Sequence, residues 1–387
     1  MWDALRLINP FQGNGYTPLG NYSLPSSHRI GTYLKITTAV SIVVLLAFLL
    51  HPLSAAESYG LLLYHHRNAI PSIVHYVYIK KEQDSVIDFP FAHFLTLYAS
   101  VLYIWPSRIF IHSDYNASEI AEAAATGSPW TRKVLNFSDI VQWNHVQAPE
   151  FAGPNENTRI SAIQHKSDFI RWEQIVKTGG IYMDWDVVPL RPLTPLLNAG
   201  FAFIAGRQYG GKDEGGQING TINNGAFMTR PNSAMARIML REQTAGFNGA
   251  WEYNLQFLTS LAERLVSIPG EVLICDRNAF APTHWFFESK DALFLPNDGL
   301  PSPEPKRINS TNPLVLYDNM VANRRNRRGW EMDFSATYML HAFGQGQYNE
   351  WITPKKILER KSNYGIATWA IVKRMVEEGV VTGEEDD

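Results

Sequence analysis

The sequence contains a single cysteine, Cys275, in 387 residues. One cysteine excludes an intramolecular disulfide framework and any zinc or iron–sulfur site built from several cysteines. Basic residues are not in excess either, since the formal net charge is -3. The composition therefore gives no reason to expect nucleic acid as a partner. Charged residues make up 18% and hydrophobic residues 45% of the chain. That balance builds a sizeable core and excludes wholesale disorder, and the length allows one large domain or two small ones.

Charge is also absent from residues 36–56, ITTAVSIVVLLAFLLHPLSAA. A helix of ~20 apolar residues spans the core of a bilayer. A cleaved signal peptide and a buried core helix are the alternatives, but the preceding segment 1–35 is longer than an ordinary n-region. That segment carries three basic residues against one acidic residue, which predicts a cytosolic location. We therefore predict a cytosolic tail at 1–35, a transmembrane signal-anchor at 36–56, a stem at 57–69 and a lumenal domain beyond it.

From residue 70, strand patterns alternate with helix patterns. The composition and spacing of apolar residues predict strands at 70–79, 107–114 and 201–206, and helices at 89–105 and 160–180. Such alternation is typical of an α/β fold, here a single Rossmann-type domain at 70–360 with a mostly parallel central sheet and helices on both faces. Ligands of such sheets bind at the carboxyl ends of the strands. Residues 361–387 form a C-terminal segment with an acidic tail, predicted to be solvated.

Two aspartates, Asp184 and Asp186, follow an apolar run in the stretch GGIYMDWDVVPL (179–190). Carboxylates at the end of a buried strand are costly unless they bind a cation or a substrate. Two residues apart, they could bind one cation from two sides of a turn. Carboxylate oxygens suit Mg²⁺ or Mn²⁺ and leave coordination positions for phosphate oxygens and water. Such a pair occurs often by chance, and by itself it would be better explained by a solvated turn after a strand.

A second charged pair, Asp168 and Arg171, lies on the helix before this strand. The two residues are three apart, so their side chains share one helix face. By itself such a pair could be a local ion pair worth ~0.3–0.5 kcal/mol. The Gly179–Gly180 turn, however, brings the end of this helix close to the strand that carries the aspartates. We therefore interpret SDFIRWEQIVKTGGIYMDWDVVPLRPL (167–193) as one helix–turn–strand unit directed at one pocket.

This unit resembles the DXD-containing sugar-binding region of glycosyltransferase family 32, which includes fungal α-1,6-mannosyltransferases and animal α-1,4-glycosyltransferases. The shared elements are Ser-Asp, an Arg three residues beyond that Asp, Gly-Gly-hydrophobic-Tyr, Asp-x-Asp and a downstream Pro-Leu. The opening strand IPSIVHYVYI, the segment INNGAFMTRPNSAMARIML (222–240) and YMLHAFG (338–344) are similar to further segments of that family. The resemblance implies a GT-A-like fold.

The resemblance also implies a metal site. Asp184 and Asp186 would bind a divalent ion, Mn²⁺ or Mg²⁺, and through it the diphosphate of a nucleotide sugar. His341 would approach the same ion from the C-terminal side, although a packed, hydrogen-bonded histidine is an equal alternative at that position. Asp186 counts as a catalytic residue in this interpretation, because the ion stabilises the negative charge that develops on the leaving diphosphate.

Sugar binding is the second implied role. Asp168 and Arg171 would hold the hydroxyls of the donor sugar, and Asn224 would line the pocket beside it. Trp185, between the aspartates, is placed either to touch the ligand or to pack. The family retains anomeric configuration, and a front-face displacement is the expected route, in which the leaving phosphate accepts the proton of the acceptor. Asp168 is the alternative nucleophile.

The expected function is thus a metal-dependent retaining glycosyltransferase that moves a hexose to a glycan or glycolipid acceptor. GDP-mannose is the first donor candidate and UDP-galactose the second. With the predicted anchor, the expected location is the Golgi or endoplasmic reticulum membrane, as a single-pass type II protein with a lumenal catalytic domain.

Two other functions compete with this expectation. A haloacid-dehalogenase-like phosphatase would use Asp184 as a phosphorylated nucleophile, since MDWDVV fits the motif of that class. That motif normally opens its domain, whereas here a long segment precedes it. A non-catalytic, membrane-anchored carbohydrate-binding protein could keep the same fold.

Overall fold

The computed structural model describes residues 69–209, 220–306 and 308–385. The predicted cytosolic tail and membrane anchor, and the predicted stem up to residue 68, lie outside these ranges. Among the helices of the described ranges, none combines the length and the apolar character needed to cross a bilayer. The described residues from 69 onward belong to one compact unit.

A central sheet of seven strands carries the fold, in the order β10-β8-β9-β6-β1-β2-β3. The strands in the described residues are β1 (Ile73–Val77), β2 (Arg108–Ser113), β3 (Val141–His145), β4 (Phe151–Ala152), β5 (Thr158–Arg159), β6 (Gly180–Met183), β7 (Val187–Pro189), β8 (Phe203–Arg207), β9 (Ile222–Thr229), β10 (Val272–Cys275) and β11 (Met339–His341). β1 pairs in parallel with β2 and β6, and β2–β3 and β8–β10 are parallel as well. β9 is antiparallel to both β6 and β8. The prediction of a mostly parallel sheet is confirmed.

Helices cover both faces of this sheet. They are α1 (Phe91–Ile104), α2 (Ala117–Thr126), α3 (Pro129–Leu135), α4 (Ile163–Thr178), α5 (Thr194–Leu197), α6 (Ala234–Gly246), α7 (Tyr253–Leu265), α8 (Arg277–Phe280), α9 (Phe287–Phe294), α10 (Pro313–Arg325), α11 (Pro354–Glu359) and α12 (Asn363–Glu377), with 3₁₀ segments at Pro154–Glu156 and Gln345–Trp351.

The side chains of β6 divide between two hydrophobic clusters, because successive residues of a strand point to opposite faces. Ile181 and Met183 pack in the cluster that contains α1, α9 and α12. Tyr182 packs in the other cluster with residues of α4, α6 and α7. There Trp172 of α4 stacks on Phe227 of β9, with ring centroids 4.3 Å apart. Both faces of β6 are therefore buried, and α4 is held directly against the strand that it precedes.

Two glycines make the sharp connection between α4 and β6 possible. Gly179 and Gly180 have φ of 64° and 124°, in the region that favours glycine. A Cβ at Gly180 would lie 2.3 Å from the Ile73 carbonyl oxygen, and one at Gly179 would lie 2.5 Å from the nitrogen of Pro231. The backbone conformation and the close approach of β1 both exclude larger residues here, which explains the glycine pair of the sequence.

The C-terminal segment packs into the same core. Within α12, Tyr364, Ile371 and Met375 are buried in the cluster that contains α1. Beyond α12, Val381 is only 4% exposed. The prediction of a solvated tail from residue 377 is therefore wrong for this part. The stretch EEGVVTGEEDD contains two valines, and the side chain of one of them, Val381, packs on the core.

Two buried histidines connect β1, β2 and the glycine turn. His75 Nε2 lies 3.0 Å from the Gly179 carbonyl oxygen, and its Nδ1 lies 2.9 Å from His112 Nε2. His112 Nδ1 in turn lies 2.9 Å from the amide nitrogen of Asn144. Because the carbonyl can only accept and the amide nitrogen can only donate, one consistent chain of donors leaves both rings neutral. Burial lowers the pKa of His75 to about 4 and that of His112 to about 3.

From the buried pair of His75 and His112 we predict that the protein becomes less stable in mild acid. Well above pH 6.5 both rings are neutral in the folded and the unfolded chain, so they add no pH dependence to stability there. Between pH 6.5 and about 4, the unfolded chain binds protons that the folded chain does not, so the free energy of unfolding falls as the pH falls. At pH 5 the loss is about 2 kcal/mol for each histidine. Urea denaturation at pH 7.5 and 5.0 measures this loss in the free energy of unfolding.

The matched variants are His112→Gln and His145→Gln, on neighbouring strands. His112→Gln is expected to reduce the difference in stability between the two pH values by about 2 kcal/mol. His145 is exposed and its replacement is expected to leave the difference unchanged. An equal difference in wild type and His112→Gln would contradict the assignment of acid sensitivity to this pair.

Candidate active site

Asp184 and Asp186 lie in the turn between β6 and β7. The Asp184 amide donates to the Gly225 carbonyl oxygen at 2.8 Å, and the Val187 amide donates to the Asp184 carbonyl oxygen at 3.0 Å. β9 is antiparallel to β6, so its first residues lie beside the carboxyl end of β6 and reach this turn. The position at the carboxyl end of a strand is as predicted, and the turn conformation places both carboxylates on the same cavity.

His341 reaches the aspartates through a strand pairing that is distant in sequence. β11 is antiparallel to β7, with His341 opposite Val187. This register places His341 Nε2 3.3 Å from Asp186 Oδ1. The Ala342 amide also donates to the Asp186 carbonyl oxygen at 2.8 Å, and the Gly344 amide donates to Asp186 Oδ2 at 2.8 Å. The segment after β11 therefore encloses Asp186 from the C-terminal side.

Asp184, Asp186 and His341 together fit a divalent cation. One ligand atom from each residue lies within 4.8 Å of the other two. Two carboxylates with one imidazole form a donor set that Mn²⁺ or Mg²⁺ can use, with positions left for water and phosphate oxygens. Gly225 leaves the room for this group, because a Cβ there would lie 2.6 Å from Asp184 Oδ2 and 2.5 Å from His341 Cε1.

Asn223 holds the ring of His341. Its Oδ1 accepts from the Gly225 amide at 2.8 Å, which orients the amide group so that Nδ2 lies 2.7 Å from His341 Nδ1. Hydrogen bonds of this kind fix the orientation of metal-binding histidines. The sequence did not single out Asn223 or Gly225. Their signal is the run INNG, in which they flank the predicted Asn224 at the start of β9.

Asp168 and Arg171 project from α4 into the same site, as the sequence predicts. Arg171 Nη2 lies 3.1 Å from Asp168 Oδ1 and 3.2 Å from Asp184 Oδ1. Its Nη1 donates to the Asn224 carbonyl oxygen. The guanidinium carbon also lies 4.3 Å from the centroid of the Tyr182 ring. The Arg171–Asp168 pair is therefore not a surface ion pair. Arg171 is 4% exposed and contacts α4, the aspartate turn and β9 at once.

Two asparagine amides complete the surroundings of Asp168. Asn224 Nδ2 donates to Asp168 Oδ1 at 2.8 Å, and Asn254 Nδ2 donates to Oδ2 at 2.7 Å. Both oxygens of this carboxylate are therefore engaged, which weakens Asp168 as a nucleophile and favours a role in holding the sugar. Asn254 was missed from the sequence. It lies on α7, far along the chain from the recognised unit, and no spacing relates the two.

The three carboxylates differ in acidity. Burial raises the pKa of Asp184, and the nearby Asp186 raises it further, against the effect of Arg171. Burial also raises the pKa of Asp168, again against Arg171. For Asp186, burial acts in the same direction, but His341 and the Gly344 amide outweigh it and lower its pKa to about 2. A cation between the two aspartates would relieve their repulsion and favour both charged forms.

A cavity of about 1010 Å³ connects these groups. Its wall contains every polar residue that the sequence proposed for the site: Asp168, Arg171, Asp184, Asp186, Asn224 and His341. Its volume is at the upper end of the range for small-molecule and cofactor sites, ~300–1,000 Å³. The unit 167–193 and the two distant segments 222–240 and 338–344 therefore meet at one opening.

Trp185 has the contacts of a packing residue, although part of it reaches the cavity wall. It is 8% exposed, and its ring stacks on Tyr76 with centroids 4.4 Å apart. The indole nitrogen donates to the Val77 carbonyl oxygen at 3.1 Å. Side chains alternate through the turn, so the residue between two cavity-facing aspartates points into the core. Of the two roles that the sequence left open for Trp185, the geometry favours packing.

Comparison with known protein families gives a match over part of the chain. Residues 68–201 match the family described as glycosyltransferase sugar-binding region containing DXD motif. The matched range contains α4 and the aspartate turn. The protein is a transferase enzyme. The match favours this function over the phosphatase alternative, and it does not distinguish family 32 or its fungal members from other proteins with this region.

Several solved structures are distantly similar. The PaToxG glycosyltransferase is 14% identical, with a TM-score of 0.34 over 56% of this chain and 79% of that chain. The glycosyltransferase GlyE of Streptococcus pneumoniae TIGR4 is 9% identical, with a TM-score of 0.36 over 82% of this chain and 66% of that one. HddC from Yersinia pseudotuberculosis is 12% identical, with a TM-score of 0.30 over 53% of this chain and 89% of that one. Scores this low assign no substrate. No curated protein matches the sequence.

The crowding at Gly225 predicts the effect of one methyl group on metal binding. In Gly225→Ala the new Cβ would displace the Asp184 carboxylate and the His341 ring. Displacing supporting contacts of a metal site typically costs ~10–100-fold in affinity. We expect a loss of that size for Mn²⁺, measured by electron paramagnetic resonance titration of the free ion.

Gly346→Ala is the matched control. Gly346 also lines the cavity, but a Cβ there meets no atom within 4 Å, so Mn²⁺ affinity is expected to stay as in wild type. Circular dichroism checks that both variants fold. Mn²⁺ affinity of a folded Gly225→Ala variant equal to that of wild type would exclude the Asp184–Asp186–His341 cluster as the metal site.

Proposed function

We propose that this protein is a GT-A-like, divalent-metal-dependent, retaining glycosyltransferase that moves a hexose from a nucleotide sugar to a glycan or glycolipid. One observation carries the proposal: Asp184, Asp186 and His341 converge on one point, and Asp168 and Arg171 lie directly beside it. A metal-diphosphate site next to a hydroxyl-binding site is the arrangement that a nucleotide sugar requires. GDP-mannose is the first donor candidate and UDP-galactose the second, both from the family 32 resemblance.

Asp184, Asp186 and His341 would hold the cation, with Mn²⁺ as the first candidate and Mg²⁺ as the second, since two of the three ligands are carboxylates. When bound, the cation would act as a Lewis acid that stabilises negative charge on the departing diphosphate. Arg171 supplies a fixed positive charge beside Asp184, close to where that negative charge would develop.

Asp168 orients the donor sugar in this proposal. Its carboxylate is held by the amides of Asn224 and Asn254, so it can accept hydrogen bonds from sugar hydroxyls without moving. The same contacts make a covalent glycosyl–Asp168 intermediate unfavourable. A front-face displacement therefore fits better: the acceptor oxygen attacks the anomeric carbon on the side of the departing phosphate, and that phosphate takes the acceptor's proton.

For the location we propose the Golgi or endoplasmic reticulum membrane, with residues 36–56 as a single-pass type II anchor and the catalytic domain in the lumen. The support is the uncharged apolar run and the basic segment before it. In sealed microsomes, added protease is expected to leave the chain beyond residue 57 intact until detergent opens the vesicles. Digestion of that part without detergent would exclude a lumenal domain.

A donor panel tests the activity. The full chain with Mn²⁺ is incubated with GDP-mannose, UDP-galactose, UDP-glucose and UDP-N-acetylglucosamine, and release of nucleoside diphosphate is measured. We expect turnover of at least one donor, abolished by a chelator and lowered about 100-fold or more in Asp186→Asn, because the cation's charge stabilisation is lost. Asp84→Asn, at an exposed carboxylate away from the cavity, is the control and should match wild type.

The panel also separates the alternatives. Binding of a nucleotide sugar without turnover of any donor would indicate the non-catalytic carbohydrate-binding protein. Hydrolysis of p-nitrophenyl phosphate that depends on Asp184, without transfer from any donor, would indicate the phosphatase. Nucleotide affinity that is unchanged in Asp184→Ala would contradict the metal–diphosphate site itself.

A further inference from the structure

Trp251 is a large aromatic residue that the structure leaves exposed at the cavity wall. It is 59% exposed, and it lines the same cavity as the aspartates. Tryptophan is on average a highly buried residue, so an exposed indole at a polar cavity is unexpected for packing alone. The transfer chemistry proposed above does not use it. Trp105 is comparably exposed, at 75%, but it does not line this cavity.

Contacts on both sides of Trp251 relate it to Asp168. The Trp251 carbonyl oxygen lies 3.3 Å from Nε2 of His165, which is 6% exposed and precedes Asp168 by one turn of α4. Asn254, three residues after Trp251, donates to Asp168 Oδ2 at 2.7 Å. The backbone of Trp251 is therefore tied to the elements that hold Asp168. Its ring packs against the His165 ring, with centroids 5.3 Å apart, and the rest of the indole is exposed to solvent. These contacts connect Trp251 with Asp168, the residue that the proposed function assigns to the donor sugar.

Polar side chains accompany the indole at this part of the wall. Gln164, Glu252 and Gln256 line the cavity beside it, and Gln256 Nε2 lies 3.0 Å from Glu252 Oε2. An aromatic plane next to amide and carboxylate groups suits a pyranose ring, which has an apolar C–H face and hydroxyls around its edge. A nucleoside diphosphate, by contrast, would place its negative charge beside Glu252.

We propose that Trp251 forms a subsite on which a sugar ring of the acceptor stacks, with Glu252 and Gln256 binding its hydroxyls. This subsite rests on the proposed glycosyltransferase function, because it assigns the acceptor to the side of the donor sugar away from the metal. The acceptor that it fits is a neutral glycan presented through a flat ring face. Trp251 contacts substrate in this arrangement and takes no part in bond breaking.

The test measures binding separately from turnover. Methyl α-mannoside, methyl β-galactoside and methyl β-glucoside are titrated into the full chain with Mn²⁺ and GDP or UDP, and affinity is measured by saturation-transfer NMR. At least one glycoside is expected to bind, about tenfold more weakly to Trp251→Ala. Trp251→Phe keeps an aromatic plane and should recover part of the affinity. Trp105→Ala is the matched control at an exposed tryptophan outside the cavity, and should equal wild type.

Nucleotide affinity is measured on the same variants and should not change, because the indole is assigned to the acceptor and not to the nucleotide. Glycoside affinity unchanged in Trp251→Ala, or binding of none of the glycosides to wild type, would overturn the subsite. Weaker GDP or UDP binding in Trp251→Ala would overturn it as well, since the indole would then stack on a base. Trp251-dependent glycoside binding without turnover of any donor would support the subsite and reject the transferase.

Discussion

The buried guanidinium of Arg171 is the contact on which the site depends. It lies between Asp168 on its own helix and Asp184 in the turn after β6, and it donates to the backbone of Asn224 on β9. A buried charge is tolerated only where opposite charges and hydrogen bonds compensate its lost hydration. Because its partners come from three elements, Arg171 requires those elements to lie in one arrangement.

This arrangement brings the carboxylates of Asp168, Asp184 and Asp186 close enough together to repel each other. Burial and mutual repulsion raise the pKa of Asp184, whereas His341 and a backbone amide lower that of Asp186 to about 2. One positive charge on Arg171 balances only part of the negative charge of three carboxylates. The remaining negative charge faces the cavity, so the site is suited to a divalent cation. The same groups that stabilise the local fold therefore leave a negatively charged site that a divalent cation could occupy.

The sequence predicted most of the elements around this site, because local patterns determine them. Strand alternation at 70–79 and 107–114, the apolar helix at 89–105 and the amphipathic helix at 160–180 are all present within a few residues of the expected bounds. Predictions were poorer where a contact is distant in sequence. Asn254 binds Asp168 from a helix with no spacing relation to it, and Val381 packs on the core from a stretch whose acidic composition indicated a solvated tail.

By itself the sequence determined the unit 167–193: its helix face, its glycine turn and its pair of aspartates depend on contacts within a few residues. Only the tertiary structure decided which residues from elsewhere in the chain lie beside that unit. The pairing of β11 with β7 places His341 at Asp186, and the antiparallel entry of β9 places Asn223 and Gly225 against it. Strand pairing and register depend on packing over the whole sheet, and a linear pattern does not contain that information.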